Sequence, residues 1–258
     1  MERQQTVPSP APDTQSGPAL SLEGVGFTYP QARRHADPVE AVADVSLVVE
    51  REQIVALVGP SGCGKSTLLE LVCGLREPTA GSVSGDPAVL MPQRDLLLPW
   101  FDALDNAGLA LRLRPGGSRA AARAGAQATF ADFGLTGFER SRPHELSGGM
   151  RQRVAFLRTL LSGKPLLCLD EPFGALDALT RAEMRDWLGA ALVRTPRTTL
   201  LVTHDVEEAC VLADRVIVLS PRPARVLASI DVALPRPRRA TDPQLLALRE
   251  RALEALGA

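Results

Sequence analysis

Apolar and polar positions parse most of the chain into elements. Residues 20–30, LSLEGVGFTYP, and 41–50, AVADVSLVVE, read as strands, and the polar stretch 31–38 reads as the hairpin loop between them. IVALVG (54–59) is an unbroken apolar run, the mark of a strand buried on both faces. Gly-rich residues follow at once, then STLLELVCGL with helical spacing, giving strand, loop and helix. LLCLD (166–170) and TTLLVT (198–203) are further buried strands, with a helix over 178–194 between them and another over 206–213. The Ala-, Leu- and Arg-rich block 102–140, broken once at RPGGS, predicts two helices. A third begins near Ser147 and runs through RQRVAFLRTLLSG. RVIVLS and RVLASIDVAL are late strands, and the tail LPRPRRATDPQLLALRERALEALGA ends in an amphipathic helix. No internal repeat is present. Strands alternating with helices indicate an α/β fold with a mostly parallel core sheet, interrupted by the helical block 102–160.

Composition narrows this picture. The 258 residues suit one large domain or two small ones, and such a length buries enough surface to need no staples. A net charge of −1 excludes a generally basic nucleic-acid binder, though not a local patch. Seven Phe, two Trp and one Tyr leave the core to Leu, Val and Ala. No apolar run approaches the ~18 residues of a membrane span. The opening 1–18, rich in Pro, Ser and Gln, predicts a disordered tail and lacks the apolar centre of a secretory signal. Cys63, Cys73, Cys168 and Cys210 share no metal-type spacing and read as reduced, mostly buried thiols.

Two motifs carry chemistry. Gly59-Pro60-Ser61-Gly62-Cys63-Gly64-Lys65-Ser66-Thr67 matches G-x-x-x-x-G-K-[ST] in full, between a strand and a helix. Its glycines let successive N–H groups curl around phosphate oxygens, and the following helix adds its N-terminal dipole. Lys65 supplies a point charge to the β/γ-phosphates, and the Ser66 hydroxyl can ligate Mg²⁺. LLCLDEP then puts two carboxylates at the end of a buried strand. Asp170 is the candidate Mg²⁺ ligand, directly or through water. Glu171, aimed to the opposite side by strand alternation, is the candidate general base for the attacking water.

With these in place, LSGGMRQR (146–153) resembles the signature motif of ABC-transporter ATPase subunits, as do the phosphate loop, LLCLDEPFGALD (166–177) and THD (203–205) in the same order. The likeness covers roughly residues 20–220. It implies a P-loop NTPase (RecA-like) core with a mostly parallel sheet, an antiparallel β subdomain and a helical signature subdomain over about 95–160. The ATPase domain would span 19–235, with a basic segment and helix over 236–258. By resemblance, Tyr29 stacks on adenine, and Gln93 senses the γ-phosphate, Mg²⁺ and water. Ser147, Gly148 and Gly149 grip the γ-phosphate of an ATP held by another subunit; Gly148 and Gly149 open a helix, which suits an anion. Asp177 matches the aspartate that communicates across the dimer, and His204 the switch histidine. His35 and His144 read as solvated or capping.

One phosphate loop and one signature motif per chain imply half-sites, completed when two chains pair head to tail around two ATPs. Lys65 and Ser147 lie 82 positions apart, which leaves room for a small helical subdomain only. The chain has no fused membrane spans, so the resemblance implies a separate permease, a cytoplasmic-side peripheral location and, indirectly, a solute-binding protein. Residues 94–111 and 219–238 resemble the nitrate/sulfonate/taurine import group. In that group segment 94–101, with Leu96–Leu98 and Trp100, receives the permease's short helix. The basic run Arg236, Arg238 and Arg239 reads as a solvated face or a contact to anionic lipid. The competing function is a soluble ATPase of the same fold regulating a nucleic-acid- or ribosome-linked process.

Overall fold

Strand β3 (Ile54–Val58) is buried at all five positions, and β7 (Thr198–Thr203) at all six. Runs of this kind survive only with both faces of a sheet covered. They lie side by side in a six-stranded sheet of order β5-β6-β7-β3-β8-β9 in this computed structural model, which describes residues 17–30 and 38–257. The neighbours are β5 (Ala88–Met91), β6 (Leu166–Asp170), β8 (Arg215–Leu219) and β9 (Val226–Asp231). All pairings are parallel except β8 with β9. A second sheet is antiparallel: β1 (Leu20–Tyr29) between β2 (Val39–Val49) and β4 (Ala80–Gly85). Both sheets belong to one compact unit, residues 18–94 with 164–257. Its core is aliphatic, Leu, Val and Ile with few rings. The hairpin residues 31–37, His35 among them, and most of the 1–18 tail lie outside the described residues.

Helices of this unit are α1 (Lys65–Val72), α6 (Ala178–Arg194), α7 (Val206–Leu212) and α8 (Pro243–Leu256). Two of the three arginines of the basic run, Arg236 and Arg238, are tied into the fold, and Arg239 is exposed as expected of a solvated face. Arg238, its side chain 3% exposed, donates to the carbonyls of Cys210, Val211 and Ala213 at the end of α7 and to those of Val232 and Leu234. It satisfies carbonyls that a helix end leaves unpaired. Arg236 pairs with Asp214 at 2.5 Å, and Asp214 also accepts the Ile54 N–H at the start of β3.

Residues 95–163 form the other unit. Here three helices replace the two expected over 102–140: α2 (Ala103–Ala107), α3 (Leu109–Arg112) and α4 (Arg119–Phe130). The extra break falls at Gly108, where an added Cβ would lie 2.8 Å from the Ala122 carbonyl, so α4 crosses too close for any side chain. Arg119 and Arg123 bind Asp105 and Asp102, and the bond from Arg119 holds the Asp105 carboxyl below its ordinary range. α5 (Gly148–Leu160) ends before the predicted Gly163. Among the described residues no helix is long and apolar enough to cross a membrane.

Candidate active site

The phosphate loop runs from the end of β3 into α1. Gly64, the residue before the helix, has φ 125°, and a Cβ there would lie 2.4 Å from the Ala41 carbonyl oxygen. Only glycine fits, and it offers no side-chain cap. The first helical bond runs from Leu68 N–H to Gly64 O, so the N–H groups of Lys65, Ser66 and Thr67 have no partner within the helix. Lys65 is 5% exposed, and its ammonium donates to the carbonyls of Gly59 (2.8 Å) and Pro60 (3.0 Å). A buried cation and helix-start amides without helical partners therefore share one short loop, an arrangement that can cradle phosphate. Cys63 packs into the core, and its sulfur also accepts from the Lys65 ammonium at 3.9 Å.

Beside the cradle, the Ser66 hydroxyl is hydrogen-bonded to Asp170 at the end of β6. Burial pushes the Asp170 carboxyl up, while Ser66 and the Lys65 charge pull it down. Among the described residues no three His, Cys, Asp or Glu side chains cluster as a metal cage. One carboxylate and one hydroxyl next to a phosphate cradle is a donor set that suits Mg²⁺, which keeps phosphate and water oxygens for its other positions.

Glu171 corrects the sequence argument for its direction. β6 ends at Asp170, and Glu171 sits at φ 43°, in the left-handed region, so alternation does not aim it. Its N–H is held by the Val202 carbonyl at 2.8 Å. That turn brings three segments onto one atom: Gln93 Nε2 donates to Glu171 Oε2 at 3.1 Å, and His204 Nδ1 lies 3.2 Å from the same oxygen. Gly174 leaves the space, since a Cβ there would come within 3.3 Å of Glu171 Oε2 and 3.4 Å of Gln93 Nε2. Glu171 is thereby oriented but not sealed: its side chain is 17% exposed and that of His204 47%. A carboxylate held this way beside a phosphate cradle can accept a proton from a water.

Tyr29 serves packing as well as any ligand. It is half-buried, its hydroxyl lies 2.9 Å from Thr67 Oγ1, and the Arg76 guanidinium stands 5.0 Å from the ring centroid. Asp177 caps α6 by accepting the Thr180 N–H at 3.1 Å, and the backbone bond from Thr180 holds its carboxyl below the usual range. In the helical unit Ser147 caps α5, its hydroxyl accepting the Met150 N–H at 3.3 Å, and Gly148 and Gly149 are the first helical residues. His144 is exposed in a short 3₁₀ turn.

Against known proteins, residues 42–174 match the family model described as ABC transporter. The chain belongs to the ABC transporter family. It is an ATP-binding and ATP-hydrolysing cassette. It is 43% identical to an aliphatic sulfonates import ATP-binding protein of Rhodococcus jostii, over 92% of this chain and 93% of that one. It is 38% identical to a nitrate import ATP-binding protein of Synechococcus elongatus, over 97% and 95%. A dimeric ATP-binding cassette solved in a post-hydrolysis state with ADP and Pi matches with a TM-score of 0.71 and 28% identity, over 83% of this chain and 99% of that chain.

Several residues of this ABC cassette escaped the sequence reading. Asn106, fully buried, holds Leu98 through both its N–H (2.7 Å) and its carbonyl (3.1 Å), while Arg158 donates to the carbonyls of Asp95 and Leu96. The segment so braced exposes Leu96 (58%) and Trp100 (66%) and buries Leu97. Arg76 beside Tyr29 and Glu208 behind His204 were also missed. An isolated Asn, Arg or Glu carries no motif, and each gains its meaning only from what the fold puts next to it.

Proposed function

We propose that this ABC ATPase is the motor subunit of an importer, working at the cytoplasmic face of a membrane on a separate permease that a solute-binding protein supplies. The import names of its relatives favour this over a nucleic-acid-linked ATPase. The same names, with the likeness of 94–111 and 219–238, support a small oxyanion solute of the sulfonate or nitrate type. Two copies pair head to tail, Lys65 of one and Ser147 of the other meeting on one ATP; the dimeric state of the matched cassette supports this. The exposed Leu96 and Trp100 are the proposed seat of a permease helix.

The observation that carries the catalytic reading is the convergence of Gln93 and His204 on Glu171 Oε2. In this mechanism the α1 amides bind the phosphates, and the Lys65 ammonium exchanges loop carbonyls for phosphate oxygens. Mg²⁺, held by Ser66 and Asp170 with the phosphates, would neutralise charge on the leaving oxygens. Gln93 orients the attacking water, Glu171 takes its proton, and His204 contacts the γ-phosphate. Asp177 reports on the partner chain. Tyr29 supports adenine.

Glu171→Gln tests this. Phosphate release should fall by about 10²–10⁴, the range for a lost general base, while nucleotide binding and an ATP-induced dimer on size exclusion persist. Turnover at the wild-type rate would remove Glu171 from the role of base.

A further inference from the structure

Glu208 is a buried carboxylate that the proposed chemistry does not use. It lies in the first turn of α7 and is 5% exposed. It does not cap that helix. Asp205 does so, accepting the N–H groups of Glu207 (2.8 Å) and Glu208 (3.3 Å). The Glu208 carboxylate reaches back instead: Oε2 accepts the Thr203 hydroxyl at 2.7 Å. The same hydroxyl accepts the Asp205 N–H at 3.0 Å. Thr203 Oγ1 therefore ties the residues on both sides of His204, and Glu208 fixes the direction of that hydroxyl.

Its other oxygen faces a second loop. Arg181 Nε lies 3.9 Å from Glu208 Oε1 and, though buried, has no hydrogen bond of its own. Arg181 Nη2 donates to the Leu176 carbonyl at 3.1 Å, next to Asp177. One chain of contacts thus runs from the loop bearing Asp177, through Arg181 and Glu208, to Thr203 and the His204 loop. Burial pushes the Glu208 carboxyl up, the Thr203 bond opposes this, the Asp205 charge adds to it, and the Arg181 charge pulls the other way. Buried ion pairs contribute little net stability when apolar residues could replace them, which makes bare stabilisation a weak reason for this one.

We propose that Arg181 and Glu208 are positioning residues, a strut that holds the Asp177 loop and the His204 loop in a single relative geometry. A histidine misplaced by about 1 Å loses turnover steeply while substrate binding, carried by the phosphate loop, is spared. This rests on the reading of Asp177 and His204 given above.

The test uses the full chain with Arg181→Met, Glu208→Ala, Thr203→Val and Thr203→Ser. Turnover is read by phosphate release, affinity by titration with a fluorescent ATP analogue, and loop order by peptide hydrogen exchange. The first three variants should lose about tenfold in kcat with Kd for nucleotide within about twofold. Thr203→Ser, which keeps the hydroxyl, should recover to within about twofold of wild type. Exchange should rise over 203–206 in Thr203→Val, and over both 174–178 and 203–206 in Arg181→Met. Arg181 is a third exposed, so its variant folds even where Glu208→Ala does not. An unchanged kcat in Arg181→Met, or a Kd that worsens in step with kcat, overturns the strut. A wild-type chain without turnover would instead overturn the ATPase reading, and exchange in the two loops would still decide the strut.

Discussion

Helices α1 and α5 both begin beside glycines, and their first turns are finished in opposite ways. Gly64 before α1 offers no side chain, the first-turn amides are left without partners in the helix, and a buried ammonium stands beside them. Nearby, Asp170 is pushed up by burial and Glu171 is held at φ 43°. Ser147 before α5 closes its own first turn, and no charged cap joins it. Local stability has been given up at the first site and kept at the second. The α1 end has no side-chain cap and a buried cation beside it, and the α5 end is a capped helix start. That difference suits the proposed half-sites, in which α1 would carry most of the affinity.

Lys65→Ala should break the comparison most severely. It removes the buried cation of the cradle and the ligand's charge-assisted contact, whose loss costs about 1.5–3 kcal/mol. Nucleotide Kd should worsen by roughly tenfold to a hundredfold, measured by calorimetric titration. Affinity within twofold of wild type would move the phosphate site away from α1.

Ser147→Ala should have a smaller effect, of a different kind. An N-cap of this type contributes about 1 kcal/mol, so melting should fall by about 2–4 °C without nucleotide. Nucleotide affinity of the monomer should be unchanged, and only the ATP-induced dimer should weaken. A Ser147→Ala chain that binds nucleotide poorly as a monomer would erase the distinction between the two ends.

How far the sequence revealed these features depended on how local they were. β3, β6 and β7 were legible because each is a short, continuous apolar run, and helix 178–194 has the bounds of α6. β4 (AGSVSG) was missed because it has almost no apolar signal and is defined by pairing with β1. β5 has four residues and is placed by β6. The phosphate loop was legible in full, its nine residues being contiguous. Gln93, Glu171 and His204 were grouped only by resemblance, since three distant segments make their meeting and a left-handed residue aims the central one. Arg238 looked like a surface charge because nothing in LPRPRR says that five carbonyls await it.

The smallest effect sharpens the comparison by its sign. If the α1 end is built at a cost to stability, Asp170→Asn should stabilise the nucleotide-free chain where Ser147→Ala destabilises it. The sign follows from the carboxyl. Its pKa is raised on folding, chiefly by burial, so the folded state holds the proton more tightly than the unfolded state does. Stability therefore falls as pH rises from the ordinary carboxylate range through the raised value, and stays lower above it. Asparagine carries no such charge. The difference between variant and wild type should be absent in acid below the ordinary range, open with rising pH, and level off at about a degree or two in melting temperature by neutrality. Adding Mg²⁺ and ATP should reverse the order, because wild type gains ligand stabilisation that the variant lacks. A variant that melts below wild type without ligand at neutral pH would mean that the bond between Ser66 and Asp170 outweighs the burial of the charge.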